Sequence, residues 1–181
     1  NYAIDYNDNQ TIELKEIEDS FASAANYLNK IGWKKNFPCY KKIQLKNDIN
    51  GVIGDYFGYS VSFSSDGSRV AIGAPNSSVS GNLSGYVAIY DLSGTAWIQV
   101  GSSISHATAD DRFGYSISLS SDGSRVAIGV PYSDTSGDDS GHVEIYDLSG
   151  NTWVQKGNDI IGTTDDRLGR SIALSSDGSR V

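Results

Sequence analysis

Only one cysteine, Cys39, occurs in 181 residues, so no intrachain disulfide can brace this chain. Its bland role is that of a small, half-buried side chain. Methionine is absent, even from the first position, and proline occurs three times. The sequence stops inside a phrase it has already used twice, so both ends read as cut. No stretch stays apolar for the length a bilayer needs, and no signal peptide is visible. Arginine is missing from residues 1–50, where seven Lys balance seven Asp and Glu. Residues 51–181 hold one Lys and six Arg against fifteen acids, so the whole formal charge of −8 lies there. Phosphate binding needs clustered Lys and Arg, so nucleic acid is excluded as a partner. The change from Lys to Arg also marks a seam between two styles of sequence.

What is abundant is repetition, which takes priority over local motifs. DYFGYSVSFSSDGSRVAIGAP from Asp55, DRFGYSISLSSDGSRVAIGVP from Asp111 and DRLGRSIALSSDGSRV from Asp166 start 56 and then 55 residues apart. SGYVAIYDLSG (84–94) matches SGHVEIYDLSG (140–150), and TAWIQVG (95–101) matches NTWVQKG (151–157). Each unit predicts four short strands, near 59–64, 69–73, 86–90 and 97–100 in the first. Asp66-Gly67 supplies a tight turn between the first two. Four antiparallel strands at this period suit a propeller blade better than a sandwich, which requires no recurring phrase. Such a unit cannot bury both faces alone. Stacking is expected to set Val61, Val70 and Ile72 against Ile117, Val126 and Ile128.

FGYS followed by SSDGSRVAIGAP resembles the FG-GAP repeat of integrin-type propellers, over about residues 41–181. Calcium-binding members of that family carry several Asp or Asn before the Gly-Ala-Pro strand. Here each hairpin offers one, Asp66, Asp122 or Asp177. One carboxylate cannot supply the six to eight oxygens calcium takes, so these read as turn formers and no cofactor is expected in the propeller. The loops 76–85 and 132–141 differ between units, and a protein or glycan ligand is expected at such loops.

Residues 16–31 predict a helix, with Phe21, Ala24, Ala25 and Leu28 at i, i+3, i+4 and i+7. Asp19 or Ser20 can cap its start and Gly32 its end. Upstream, Asp5, Asn7 and Asn9 place side-chain oxygens at alternate positions, as at the start of an EF-hand loop, and Glu16 falls at the twelfth position. Gln10 stands where the sharp turn wants glycine, so a polar turn without metal fits as well.

NYAIDYNDNQTIEL followed by DSFASAANYLNKIGWKKNFPCY resembles part of the membrane-bound lytic murein transglycosylase B family, over residues 1 to about 40. In that family the acidic loop is an unusually long EF-hand-like calcium site. The resemblance implies one calcium ion held by Asp5, Asn7, Asn9, the Thr11 carbonyl and Asp19 in place of Glu16. It also implies that Tyr27 faces the glycan cleft, where a helix-packing role is the alternative. These enzymes use one Glu, within a Glu-Ser pair, as acid and then base. No Glu-Ser pair occurs in this sequence, so the chain itself is expected to be non-catalytic.

The expected fold class is therefore mainly β: a partial β-propeller of four-stranded blades preceded by a short α-helical fragment with an EF-hand-like loop. The expected parts are 1–40, a transglycosylase-like fragment, and 41–181, an incomplete propeller. The latter comprises a blade remnant 41–50, blades 55–101 and 111–157, and the start of another at 166–181. IQLKNDING (43–51) aligns with VQKGNDIIG (154–162), so the last strand of a blade begins with no linker. A natural fusion and an artefactual joining of two genes both fit that seam. Two functions fit the whole. One is a fragment of a peptidoglycan lytic transglycosylase of the bacterial envelope with an appended propeller. The other is a surface propeller that binds proteins or glycans without catalysis. Either places the chain in the periplasm, at the outer membrane or outside the cell. No serine–histidine–acid arrangement is apparent. His106 and His142 fall in different repeat contexts, and His142, replacing Tyr86, reads as a strand-surface residue.

Overall fold

The computed structural model describes residues 54–181. The expected helix 16–31, the calcium loop, Tyr27 and the blade remnant 41–50 lie outside the described residues. Ten strands and no helix form among the described residues. The first repeat gives β1 (Ser60–Phe63), β2 (Arg69–Ala74), β3 (Tyr86–Ser93), β4 (Ala96–Gln99) and β5 (Ile104–Ser105). The second gives β6 (Ser116–Leu119), β7 (Arg125–Val130), β8 (His142–Ser149), β9 (Thr152–Gln155) and β10 (Ile160–Ile161). Each set is one antiparallel sheet. Corresponding pairs keep the same register: Val61 faces Ile72 as Ile117 faces Ile128, and Leu92 faces Trp97 as Leu148 faces Trp153. The two repeats thus superpose strand for strand.

The expected fourth strand forms as β4, and a further short strand, β5, follows it. Tyr90 to Ser93 pair with β4, whereas Tyr86 and Val87 pair with β5. Gly101, at φ 71°, turns the chain out of extended conformation between them, and Gly157 at φ 79° does so in the second sheet. This detour carries residues 101–106 around the edge of the first sheet toward the second.

The hairpin turns follow the sequence reading. Asp66 accepts from the Ser64 hydroxyl at 2.7 Å and from the Ser68 amide at 3.0 Å. Asp122 does the same with Ser120 and Ser124, and Asp177 with Ser175 and Ser179. These bonds hold all three carboxyls down at about 2, Ser64, the Ser124 amide and Ser175 being the largest causes in turn.

The sheets stack face to face, and the serines decide which faces meet. Ser60 donates to the Gly114 carbonyl at 2.7 Å, and Ser62 accepts from the Leu119 amide at 2.9 Å. Both therefore point at the second sheet, and strand alternation turns Val61 and Phe63 away from it. The register pairs Val61 with Ile72 and Phe63 with Val70, so Val70 and Ile72 also face away. The expectation that Val61, Val70 and Ile72 oppose the second unit is thus wrong by one residue; Val61 is 48% exposed. The contact is made by Ala71, Val87 and Ile89 against Ile117, Leu119, Val126, Ile128 and Val130. Gly73 lies on the same face and lets the backbone of Gly114 approach.

The same bonds recur one repeat later. Ser116 donates to the Gly169 carbonyl at 2.7 Å, and Ser118 accepts from the Leu174 amide at 2.9 Å. Arg69 reaches the Gly123 carbonyl and Arg125 the Gly178 carbonyl, both at 2.8 Å. The third repeat is therefore seated on the second sheet as the second is on the first. The described residues do not close a ring.

Candidate functional site

The first and second sheets differ most in chemistry at one place. SGYVAIYDLSG and SGHVEIYDLSG differ at two of eleven positions, Tyr86 against His142 and Ala88 against Glu144. The two are separated by one residue, so β8 presents His142, Glu144 and Tyr146 on one face. That face looks toward the first sheet, from which residues 101–106 arrive carrying His106.

His142 Nε2 lies 2.9 Å from Glu144 Oε1, and His106 Nε2 lies 3.2 Å from the same oxygen. Tyr146 donates its hydroxyl to Glu144 Oε2 at 2.5 Å. His142 is buried rather than on the strand surface, which corrects the sequence reading. The reason is that the incoming loop and the first sheet cover this end of β8. Glu144 is only 1% exposed. The His106 ring packs against Phe113, with centroids 4.8 Å apart, and stays partly open to solvent.

Burial pushes the Glu144 carboxyl up, but the bonds from His106, His142 and Tyr146 outweigh it and hold the group at about 2. The bond to Glu144 raises His106 against its own partial burial. Burial first, then the hydrogen bond to Glu144, raises the Tyr146 phenol beyond its ordinary range. The Glu144 carboxylate therefore accepts from the Tyr146 hydroxyl and faces both imidazole nitrogens. His142 Nδ1 is buried and has no partner among the described residues.

His106 and Tyr146 form one wall of a cleft of about 620 Å³. Ser102, Ser103 and Ser105 from the first sheet's edge and Asn151, Thr152 and Trp153 from the second line it as well. Trp153 is fixed by its indole N–H, which donates to the Val100 carbonyl at 3.2 Å. Hydroxyls, an amide and one imidazole edge line this opening, so it can bind a polar ligand. Donor atoms of His106, His142 and Glu144 all lie within 4.8 Å of one another, close enough to hold one metal ion.

The structure does not bear on the site residues predicted from the sequence. Asp5, Asn7, Asn9, Thr11, Asp19 and Tyr27 lie outside the described residues. The signal for the cluster was present as a departure from the repeat, two polar residues at i and i+2 where the preceding unit has Tyr and Ala. What no single unit could reveal is that His106, whose counterpart in the next unit is Gly162, meets them.

No curated protein matches the chain. Residues 54–77 include β1 and β2, yet they fall within a family match that begins at residue 1 and passes beyond the expected boundary near residue 40. A second match begins at β5 and ends in β8, so it spans the stacked junction that carries the cluster. The first family is described as the transglycosylase SLT domain, over residues 1–77, and the second as the FG-GAP repeat, over residues 104–146; both resemblances read from the sequence are shown.

Proposed function

We propose that this chain is part of a bacterial cell-envelope protein in which a peptidoglycan lytic transglycosylase region is joined to a β-propeller, the chain itself being non-catalytic. The observation that carries this reading is the order of the two family matches, an SLT domain followed by an FG-GAP repeat. An SLT domain implies a glycan substrate and an envelope or extracellular location. No helix among the described residues is long and apolar enough to cross a membrane. No Glu-Ser pair, the catalytic motif of the resembled family, occurs in this sequence, which supports a chain that does not itself cleave the glycan. Tyr27 is the glycan-facing residue in this reading. The stacked sheets are propeller blades that present the cleft and the loops 76–85 and 132–141 to a glycan or a protein.

Incubation with purified peptidoglycan tests both halves. The chain should sediment with the sacculi and release no anhydromuropeptides. Turnover above the buffer control would overturn the non-catalytic assignment, and absence of co-sedimentation would overturn the glycan partner. A sequencing read across residues 30–60 from source DNA separates a natural fusion from an artefactual joining.

One calcium ion accompanies this reading, held by Asp5, Asn7, Asn9, Asp19 and the Thr11 carbonyl. All are hard oxygen donors of the type calcium takes, and only two carry charge, so binding is weak. Calorimetric titration of the full chain should show calcium heat that disappears in the Asp5→Ala, Asp19→Ala double variant. Heat that survives the substitutions would remove the assignment.

The second reading, a surface binding propeller without an enzymatic parent, is favoured by one observation. The SLT match runs into β1 and β2, which belong to a repeat sheet. An upstream Glu-Ser motif in the full gene would decide for the first reading, and further blades without it for the second.

A further inference from the structure

We infer that His106, His142 and Glu144 form a binding site for one divalent transition-metal ion, zinc in the first instance, at the junction of the two stacked sheets. The site is an addition to the repeat. The preceding sheet builds the same strand with Tyr86 and Ala88, so neither His142 nor Glu144 is needed to make this fold. A buried carboxylate is costly and is retained where it is paired or holds a metal. Three departures from the repeat, drawn from two units, converge on one point.

The geometry is close to what the ion requires. Two ligands at about 2.0–2.1 Å from a tetrahedral zinc stand about 3.3 Å apart. The two imidazole nitrogens lie 2.9 and 3.2 Å from Glu144 Oε1. The three donor atoms lie within 4.8 Å of one another, so an ion can replace the two N–H bonds once the partly exposed His106 ring closes toward His142. Each imidazole then binds through the Nε2 lone pair, and its proton moves to Nδ1 or leaves to solvent. Tyr146 remains bonded to the other carboxylate oxygen and orients it, as the groups behind metal ligands commonly do. His106, partly exposed on the cleft, marks the entry path, and the cleft leaves the fourth position open to water or a ligand oxygen. Two nitrogens and one carboxylate suit zinc or copper(II) and not calcium or magnesium. His142 Nδ1 has no acceptor among the described residues, so no supporting bond to it is seen there and the affinity is moderate.

The test is calorimetric titration of the full, chelator-stripped chain with zinc chloride, alongside cobalt(II) and its visible absorption. One ion per chain should bind at this site, and cobalt should give the intense spectrum of a four-coordinate ion. His106→Ala, whose side chain is partly exposed, should weaken binding at least tenfold or abolish it. His142→Tyr with Glu144→Ala, which restores the preceding unit's residues, should abolish it, with circular dichroism confirming the fold. Tyr146→Phe, which removes only the bond behind the carboxylate, should weaken binding roughly tenfold. Absence of zinc binding, or zinc binding unchanged in His106→Ala and in the double variant, would overturn the inference.

Discussion

Gly73→Ala is the sharpest probe of how the two sheets meet. A Cβ at this position would fall well inside van der Waals contact with the Gly114 carbonyl oxygen and with Ser60 Oγ, and would lie 3.0 Å from Ile117 Cδ1. The Gly114 oxygen belongs to the backbone of the neighbouring sheet and cannot swing aside. Relief requires the sheets to separate or Ser60 to rotate. Rotation sacrifices the Ser60–Gly114 hydrogen bond. Overpacking of this kind costs about 1–3 kcal/mol, and the lost bond about 1 kcal/mol. The sum is about 2–4 kcal/mol. Urea denaturation of the full chain, followed by fluorescence of the buried Trp97 and Trp153, measures it. In a Ser60→Ala background one clash and the bond are already gone, so the same glycine substitution should cost about 1 kcal/mol less. A Gly73→Ala chain within about 0.5 kcal/mol of the parent, the range of ordinary surface changes, would refute face-to-face contact through this side of β2.

Ser62→Ala should strand the Leu119 amide and cost about 1–3 kcal/mol; hydrogen exchange at Leu119 should quicken while that at Val126 follows only the global loss. Arg125→Lys should destabilise by about 1 kcal/mol or more, because a lysine cannot hold both Asp147 oxygens and the Gly178 carbonyl; the protection of residues 166–181 in hydrogen exchange reads it. The turn carboxyls of Asp66, Asp122 and Asp177 are depressed in the folded state, so their contribution is present above the unfolded value near 4 and is lost as pH falls through about 2. The melting temperature should therefore drop across that window, and Asp66→Asn with Asp122→Asn should make the drop shallower.

The repeat phrases alone determined four strands of each unit and the tight turns, because those depend on local alternation and on glycine with a neighbouring carboxylate, but not the short fifth strands β5 and β10. The phrases also carried the family resemblances, since motif and order are properties of sequence. Which face of each strand meets the next unit was decided only in three dimensions. Ser60 and Ser62 look like a solvent stripe until the backbone polar groups of Gly114 and Leu119 are seen to need them. Val61 looks like core and is half exposed because it turns to the face of the first sheet away from the second, whereas its counterpart Ile117 turns the same way and is buried against the first sheet. Glu144 and His142 differ visibly from the preceding unit, but sequence cannot say whether a changed strand residue faces water or a neighbour. His106 lies 38 positions before Glu144 in the chain, and only the turn at Gly101 and the stacking of the sheets bring its Nε2 within 3.2 Å of that carboxylate.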